Sequence, residues 1–237
     1  MKESKKIFLP GSFKPFRILK QKLDLNEKKV LIIGESSEKI AERFLDENVY
    51  SVDVIVRDYD ALIQSRLNSN KTKNISIRIN DFENTDFPDD NFDLVYAQVS
   101  LSNSNRKNVL KEIKRILKLN GILCVIELTK LQNEIPAFVK NVFEQSDIHP
   151  LLHSQSKDYF TSKGYELFFE QDLTSSLMHF YENVSNELSD YFRKADETEK
   201  KLYKKLLNKI SHESNAYLKL GADKYIGLNL LILKNIK

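Results

Sequence analysis

Short apolar segments alternate with longer amphipathic segments along the first two thirds of the chain. Apolar runs cover residues 30–33, 51–56, 75–79, 92–97 and 122–127. Runs of about four to eight apolar residues are typical of buried strands. The segments between them have the length and the apolar spacing of helices, and parallel strands need such crossover connections. The pattern predicts an α/β domain with a doubly wound, mostly parallel sheet and helices on both faces.

The last third of the chain adds two strands and an insertion. Residues 165–173 and 225–233 have strand-like patterns, which brings the predicted sheet to seven strands. The segment between them, 174–221, is far longer than a usual connection. Its first half carries large apolar residues at helical spacing on one face: Leu177, Phe180, Tyr181, Val184, Leu188, Tyr191 and Phe192. We therefore expect a single domain with a sheet core at 26–173 and 222–237, and a helical hairpin inserted before its last strand.

Composition limits the functional classes. The chain has 237 residues, of which 41% are hydrophobic and 30% are charged, and its net charge is +3. This near balance of charge gives no indication of a nucleic-acid partner. A single cysteine excludes a disulfide within the chain, and no apolar run has the length of a membrane span or of a secretion signal. The expectation is a cytoplasmic globular protein without a membrane or nucleic-acid partner.

The most specific pattern runs from Asp81 to Glu127. It comprises a polar loop, a strand, a helix, a turn at Gly121 and a second strand, and in open parallel sheets ligands bind at the carboxyl ends of such strands. The segment resembles the second half of class I S-adenosylmethionine-dependent methyltransferases, in their small-molecule, type 11-like branch. The matching positions are Asp81, Phe87, Pro88, Asp90, Phe92, Asp93, Val95, Glu112, Arg115, Leu117, Lys118, Gly121 and Glu127. The resemblance implies the strand order 3-2-1-4-5-7-6, with S-adenosylmethionine as cofactor.

The glycine-rich turn after the first strand is degenerate. The family uses a GxGxG turn against the methionine end of the cofactor, whereas this chain has GESSE, with Ser36 and Glu38 at the later glycine positions. Glycine is favoured there because the backbone approaches the ligand and adopts positive φ. The resemblance places Gly34, Glu35 and Ser36 at the cofactor.

Further cofactor contacts come from the ends of the next strands. Asp58 is the carboxylate nearest to the ribose-binding position after the second strand. Asp81 occupies the adenine-contacting position, and Phe82 follows it as a ring that could pack on the adenine. Gln98, at the end of the fourth strand, completes the predicted set.

The acceptor side is expected on the loop after the fourth strand and on the insertion. Candidate contacts are Ser100 and Asn103 in the loop, and His179 and Tyr181 at the start of the inserted helices. No residue is assigned as catalytic. His149 and His153 do not predict a metal site, because Pro150 interrupts the helix that their spacing would need and no further ligands accompany them.

Two questions stay open at this level. Methyl transfer to a small-molecule acceptor is the leading hypothesis. The alternative is a non-catalytic methyltransferase-like module that binds a partner, or a different nucleotide ligand with Arg57 pairing a phosphate. The apolar stripe of the insertion also needs a burial partner. It could form a lid over the cleft of its own domain or a homodimer interface.

Overall fold

The computed structural model describes residues 9–69 and 75–237, apart from the side chains at ten helical positions. Within these residues, seven strands form one sheet in the order β3-β2-β1-β4-β5-β7-β6. This order confirms the one that the resemblance implied. The strands are β1 Lys29–Ile33, β2 Ser51–Val56, β3 Ser76–Ile79, β4 Phe92–Gln98, β5 Leu117–Lys130, β6 Tyr165–Asp172 and β7 Ile226–Asn235.

Helices connect the strands and precede the sheet. Those of the described residues are α1 Lys14–Lys22, α2 Glu38–Leu45, α3 Tyr59–Asn68, α4 Arg106–Ile116, α5 Ala137–Gln145, α6 Ser156–Thr161, α7 Ser176–Lys194 and α8 Glu197–Lys219. Two single-turn 3-10 helices precede α6 and β7, at His153–Gln155 and Ala222–Lys224. None of the helices in the described ranges has both the length and the apolar content that crossing a membrane requires.

The register of β1 defines the centre of the sheet. Its residue Ile32 pairs in parallel with Val54 of β2 on one side and with Tyr96 of β4 on the other. β7 runs antiparallel between β5 and β6 and pairs Leu230 with Ile126. The chain thus winds outward in one direction from β1 and in the other from β4. Their carboxyl ends form the point at which the strand order reverses, where open α/β sheets bind ligands.

Alternating residues of β1 enter two separate cores. Val30 and Ile32 belong to the core on the face covered by α1, α2, α3, α5 and the insertion. Leu31 and Ile33 belong to the core covered by α4 and α6. All four side chains are at most 1% exposed. A continuous apolar run is required here because a strand in the middle of a parallel sheet is buried on both faces.

The insertion forms the expected pair of helices, α7 and α8. Its apolar stripe packs into the core of its own chain, where Leu177, Phe180, Tyr181, Val184 and Leu188 are all buried. The side chains of Tyr191 and Phe192, which the sequence assigned to the same stripe, lie outside the described residues. α8 also contacts α5, through a hydrogen bond of 2.6 Å from the Ser146 hydroxyl to Glu213. The described part of the stripe therefore needs no second chain to bury it.

A partly buried ion pair fixes the loop between β3 and β4. Arg115 of α4 donates to the Glu112 carboxylate at 2.6 Å and to the Phe87 carbonyl at 2.8 Å. The same carboxylate accepts from the Thr85 amide at 2.8 Å. Burial alone would raise the pKa of Glu112, but the hydrogen bonds from Arg115 and Thr85 outweigh it and hold the pKa below its usual range. The motif ExxR thus anchors the loop that begins with Asp81.

Replacing Glu112 with Gln is expected to destabilise the fold by about 1–3 kcal/mol at pH 7, because the charge-assisted hydrogen bonds are lost. A carboxyl group with a lowered folded-state pKa contributes stability above its unfolded pKa, and that contribution is lost as the pH falls through the folded value. The difference between wild type and Glu112→Gln should therefore shrink below about pH 4.5. Urea unfolding at pH 7 and at pH 3.5 measures both. Glu166→Gln, on the exposed side of β6, is the control. Equal loss at both pH values would contradict the assignment.

Candidate functional site

The turn after β1 keeps left-handed backbone despite its missing glycines. Gly34 has φ +124° and Ser36 has φ +57°. The Ser37 hydroxyl donates to the Gly34 carbonyl at 2.7 Å and closes the turn before α2 begins. Glu35 and Ser36 remain at least partly exposed. Of the two residues that depart from the family motif, Ser36 therefore adopts a conformation that glycine would adopt at lower cost, whereas Glu38 begins α2.

The loop after β4 lies directly against this turn. A Cβ atom on Gly34 would come within 2.8 Å of the Ser100 Cβ, so only glycine fits there. The Ser100 hydroxyl is buried and has no hydrogen-bond partner among the described residues, and the same holds for the side-chain nitrogen of Asn103. Buried polar groups in native structures are nearly always paired. Two such atoms on the loop after β4, one of them on the residue against Gly34, mark a place where a polar ligand would complete the structure.

Glu127 at the end of β5 holds this loop in place. Its carboxylate accepts from the Leu101 amide at 2.9 Å and from the Ser102 hydroxyl. Burial raises the pKa of Glu127 above its usual range, although these bonds and the charge of Arg106 oppose the shift. The sequence identified Glu127 only as a family position. Its contact with a loop more than twenty residues earlier has no local signal.

The ends of β2 and β3 form the far side of the site. Asp58 caps α3, and its carboxylate accepts from the Ala61 amide at 2.9 Å. Asp81 is exposed and accepts from the Glu83 amide at 2.9 Å. The Phe82 ring is 4% exposed, and the Arg57 guanidinium lies 4.9 Å from its centroid. Arg57 therefore covers one face of the Phe82 ring, which was expected from the sequence to pack on the adenine.

Gln98 contacts protein groups with both ends of its amide. The nitrogen donates to the carbonyls of Pro10 and Ser12 at 2.7 and 3.2 Å, and the oxygen accepts from the Tyr96 hydroxyl at 2.8 Å. The side chain is only 3% exposed. Instead of projecting toward a ligand, it ties the segment before α1 to the end of β4. We call the space between residues 34–36 and 98–103, with 57–58 and 81–82 at its far side, the β1–β4 crevice.

A groove runs along α1, and its end at Gly11 and Ser12 lies beside Gln98 of the crevice. It has a volume of about 690 Å³, and residues 11–20, 43–47 and 176–183 contribute to its walls. His179 and Phe180 lie on the α7 side. Tyr181 points instead into the helical hairpin, where it is 1% exposed and its hydroxyl lies 3.4 Å from the Glu213 carboxylate. We call this cavity the α1–α7 groove.

The two histidines near α6 occupy different settings. His149 is exposed beside Asp147, at 3.6 Å. His153 lies 2.9 Å from the Thr129 hydroxyl through its Nδ1 atom, and 3.9 Å from Asp172. Within residues 9–69 and 75–237, no group of three or more His, Cys, Asp or Glu side chains is placed to hold a metal ion.

Comparison with known proteins agrees with this geometry. A family model described as a methyltransferase domain matches residues 33–125, from the last residue of β1 into β5. The match spans the turn at Gly34, the ends of β2 and β3, and the loop after β4. No curated protein matches the sequence.

Solved structures of methyltransferases share the fold over nearly the whole chain. A candidate sarcosine dimethylglycine methyltransferase from Galdieria sulphuraria superposes with a TM-score of 0.71 and 16% identity, over 94% of this chain and 84% of the other. Phosphoethanolamine N-methyltransferase 2 of Haemonchus contortus, in complex with S-adenosylmethionine, superposes with a TM-score of 0.72 and 14% identity. The superposition covers 97% of this chain and 54% of the other. Geranyl diphosphate C-methyltransferase of Streptomyces coelicolor, in complex with Mg²⁺, geranyl diphosphate and S-adenosylhomocysteine, superposes with a TM-score of 0.67 and 10% identity. The superposition covers 94% of this chain and 76% of the other. At these identities the likeness shows the fold.

Replacing Gln98 with Leu is expected to loosen the segment before α1. Two backbone carbonyls and the Tyr96 hydroxyl would lose their partner, at a cost of about 1–3 kcal/mol. Limited trypsin digestion measures this loosening, because Lys14 and Arg17 come directly after the segment. Trypsin should cleave the chain at these two residues faster in Gln98→Leu than in wild type. Gln145→Leu, on the exposed side of α5, is the matched control. Unchanged cleavage at Lys14 and Arg17 would show that the Gln98 amide does not hold this segment.

Proposed function

We propose that the chain is a class I S-adenosylmethionine-dependent methyltransferase, and that it transfers the methyl group of S-adenosylmethionine to a small-molecule acceptor. The observation that carries the proposal is the β1–β4 crevice. There the left-handed turn at Gly34 meets the unpartnered hydroxyl of Ser100, at the point where the strand order reverses.

The cofactor side of the crevice is assigned strand by strand. The backbone of Gly34, Glu35 and Ser36 receives the methionine end. Asp58, between β2 and α3, accepts from the ribose hydroxyls. Asp81, which is exposed at the end of β3, accepts from the adenine amino group. Each assignment uses an element end that opens on the same edge of the sheet.

Two residues of the cofactor prediction act less directly in this proposal. Phe82 offers a ring to adenine only if the Arg57 guanidinium moves from its face, since the two now lie 4.9 Å apart. Gln98 acts by holding Pro10 and Ser12 beside the crevice, because its amide nitrogen donates to both of their carbonyls and its oxygen accepts from the Tyr96 hydroxyl.

The chemistry places modest demands on the chain. When bound, S-adenosylmethionine supplies an electrophilic methyl group on a sulfonium, which an acceptor nucleophile displaces in line. The protein contributes proximity, alignment and exclusion of water. Glu127 fixes the loop after β4, and Ser100 and Asn103 on that loop present polar atoms to the acceptor. Such a site needs no covalent catalyst.

The cofactor assignment predicts that S-adenosylhomocysteine stabilises the protein. At about 100 times its dissociation constant, a ligand raises the free energy of unfolding by about 2.7 kcal/mol. Asp81→Asn should lower the affinity for S-adenosylhomocysteine about tenfold, because a charge-assisted hydrogen bond is lost. Isothermal titration of wild type and variant measures the affinity directly.

Asp24→Asn is the matched control for this titration, because Asp24 also accepts the amide two residues onward but lies outside the crevice. It should leave the affinity unchanged. If millimolar S-adenosylhomocysteine produces no heat and no thermal shift in wild type, the cofactor assignment is wrong. The alternative of a non-catalytic module, or of a different nucleotide near Arg57, would then replace it.

The degenerate turn supplies an independent prediction. Ser36→Gly removes a Cβ atom from left-handed backbone, so the folded state should gain up to about 1 kcal/mol, less the entropy that glycine adds to the unfolded chain. The same change should also increase the affinity for S-adenosylhomocysteine, because the backbone can then approach the ligand more closely. Asn48→Gly, at φ +55° outside the crevice, should share the gain in stability but not the gain in affinity. Weaker binding by Ser36→Gly would show that the serine side chain itself contacts the ligand.

A further inference from the structure

The α1–α7 groove lies next to the β1–β4 crevice. Gly11 and Ser12 line one end of the groove, and the Ser12 carbonyl accepts from the Gln98 amide at the end of β4. One end of the groove therefore lies at the end of β4, beside the crevice. A volume of about 690 Å³ falls within the range of about 300–1,000 Å³ for small-molecule sites.

The floor of the groove is aromatic. Phe16 and Phe180 line it from α1 and α7, and each is 4% exposed. Phe13 adds a third, half-buried ring, which the Arg43 guanidinium covers at 5.0 Å from the centroid. An apolar or aromatic ligand body could pack on these rings without a polar partner.

The rim of the groove carries positive charge that its acidic residues do not neutralise. Lys20 lies 2.6 Å from the Glu47 carboxylate, and the Arg43 guanidinium is 4.0 Å from an Asp46 side chain. Lys14 and Arg17 also line the groove, and within the described ranges no acidic side chain lies at ion-pair distance from either. They are three residues apart, so they share one face of α1.

The helix ends add to this charge. The groove is lined by the first turn of α1 and by the first turn of α7, which begins at Ser176. The amino-terminal turn of a helix carries a partial positive charge. His179, exposed on α7, is the remaining titratable group of the lining, and its ring lies 2.9 Å from the Asn183 amide.

We propose that the α1–α7 groove binds the methyl acceptor, and that the acceptor is a small amphipathic anion. Its apolar body lies on Phe13, Phe16 and Phe180, and its carboxylate or phosphate group lies at Lys14 and Arg17. The inference that the bound anion is the acceptor rests on the proposed function. The anion site itself rests on the groove alone.

Isothermal titration of the full chain with three naphthalene probes tests the proposal. Naphthalene-2-carboxylate and 2-naphthyl phosphate are anions, and naphthalene-2-carboxamide is the neutral counterpart. Both anions should bind at least about tenfold more tightly than the carboxamide, as expected for charge-assisted contacts. In the double variant Lys14→Gln/Arg17→Gln, the affinity for both anions should fall to that for the carboxamide. The affinity for the carboxamide should not change. The ratio between the two anions distinguishes a carboxylate site from a phosphate site.

The matched control is Lys107→Gln/Lys111→Gln, which removes two exposed lysines from one face of α4. It should change none of the three affinities. His179→Asp places a negative charge on the exposed side of the groove and should weaken both anions. Equal binding of anions and carboxamide, or no binding of any probe at millimolar concentration, would overturn the anion site.

A titration with S-adenosylhomocysteine separates this inference from the proposed function. An acceptor groove must admit the anion while S-adenosylhomocysteine is bound, so naphthalene-2-carboxylate should retain its affinity at saturating S-adenosylhomocysteine. Mutually exclusive binding would overturn the acceptor role. If S-adenosylhomocysteine fails to bind while anion binding still depends on Lys14 and Arg17, the methyl-transfer proposal fails and the groove remains an anion site.

Discussion

The parallel pairing of β1 with β4 is the constraint on which the rest of the molecule depends. Strands that are neighbours in the sheet but separated in the chain leave their connections free to turn away from each other. The chain leaves β1 toward β2 and β3, and it leaves β4 toward β5 and β7. The turn at Gly34 and the loop at Ser100 meet at the carboxyl ends of this pair, and they approach so closely that a side chain on residue 34 would collide with Ser100.

Two carboxylates stabilise the loops that surround this edge. Glu112, paired with Arg115, holds the loop that leads from β3 to β4. Glu127 holds the loop that leads from β4 to α4. The two groups differ in solvation and in partners, so the pKa of Glu112 is lowered whereas the pKa of Glu127 is raised. The Arg115 guanidinium that is hydrogen-bonded to Glu112 outweighs the effect of burial on its pKa. The hydroxyl and amide groups that donate to Glu127 do not outweigh burial there.

The architecture could be predicted from the sequence because its signals are local. Each strand is a short apolar run, and the strand order followed from the motif between Asp81 and Glu127. The strand limits shifted by a few residues. The largest change is in β5, which begins at Leu117 because the turn at Gly121 continues the strand instead of preceding it. The inserted hairpin was also visible, since an apolar stripe at helical spacing indicates a helix wherever it eventually packs.

The site was less predictable because its contacts join distant parts of the chain. Gln98 was expected at the cofactor, but its amide binds carbonyls more than eighty residues earlier. Tyr181 was expected to contact the acceptor together with His179. A helix turns residues two positions apart to different faces, and Tyr181 faces α8. The α1–α7 groove had no sequence signal, since its walls come from segments that lie some 160 residues apart and meet only in the fold.

The burial of the insertion bears on what it can do. A helix whose apolar stripe packs into the core of its own domain has no large apolar face left for a second copy along that stripe. The described part of α7 is such a helix, because the stripe from Leu177 to Leu188 lies in the same core as β1 and β4. In the first turn of α7, Ser176 and His179 line the groove. This arrangement favours a wall of the acceptor site over an oligomerisation surface, because variation at a few exposed positions of α7 could change which molecule the groove accepts without disturbing the core behind it.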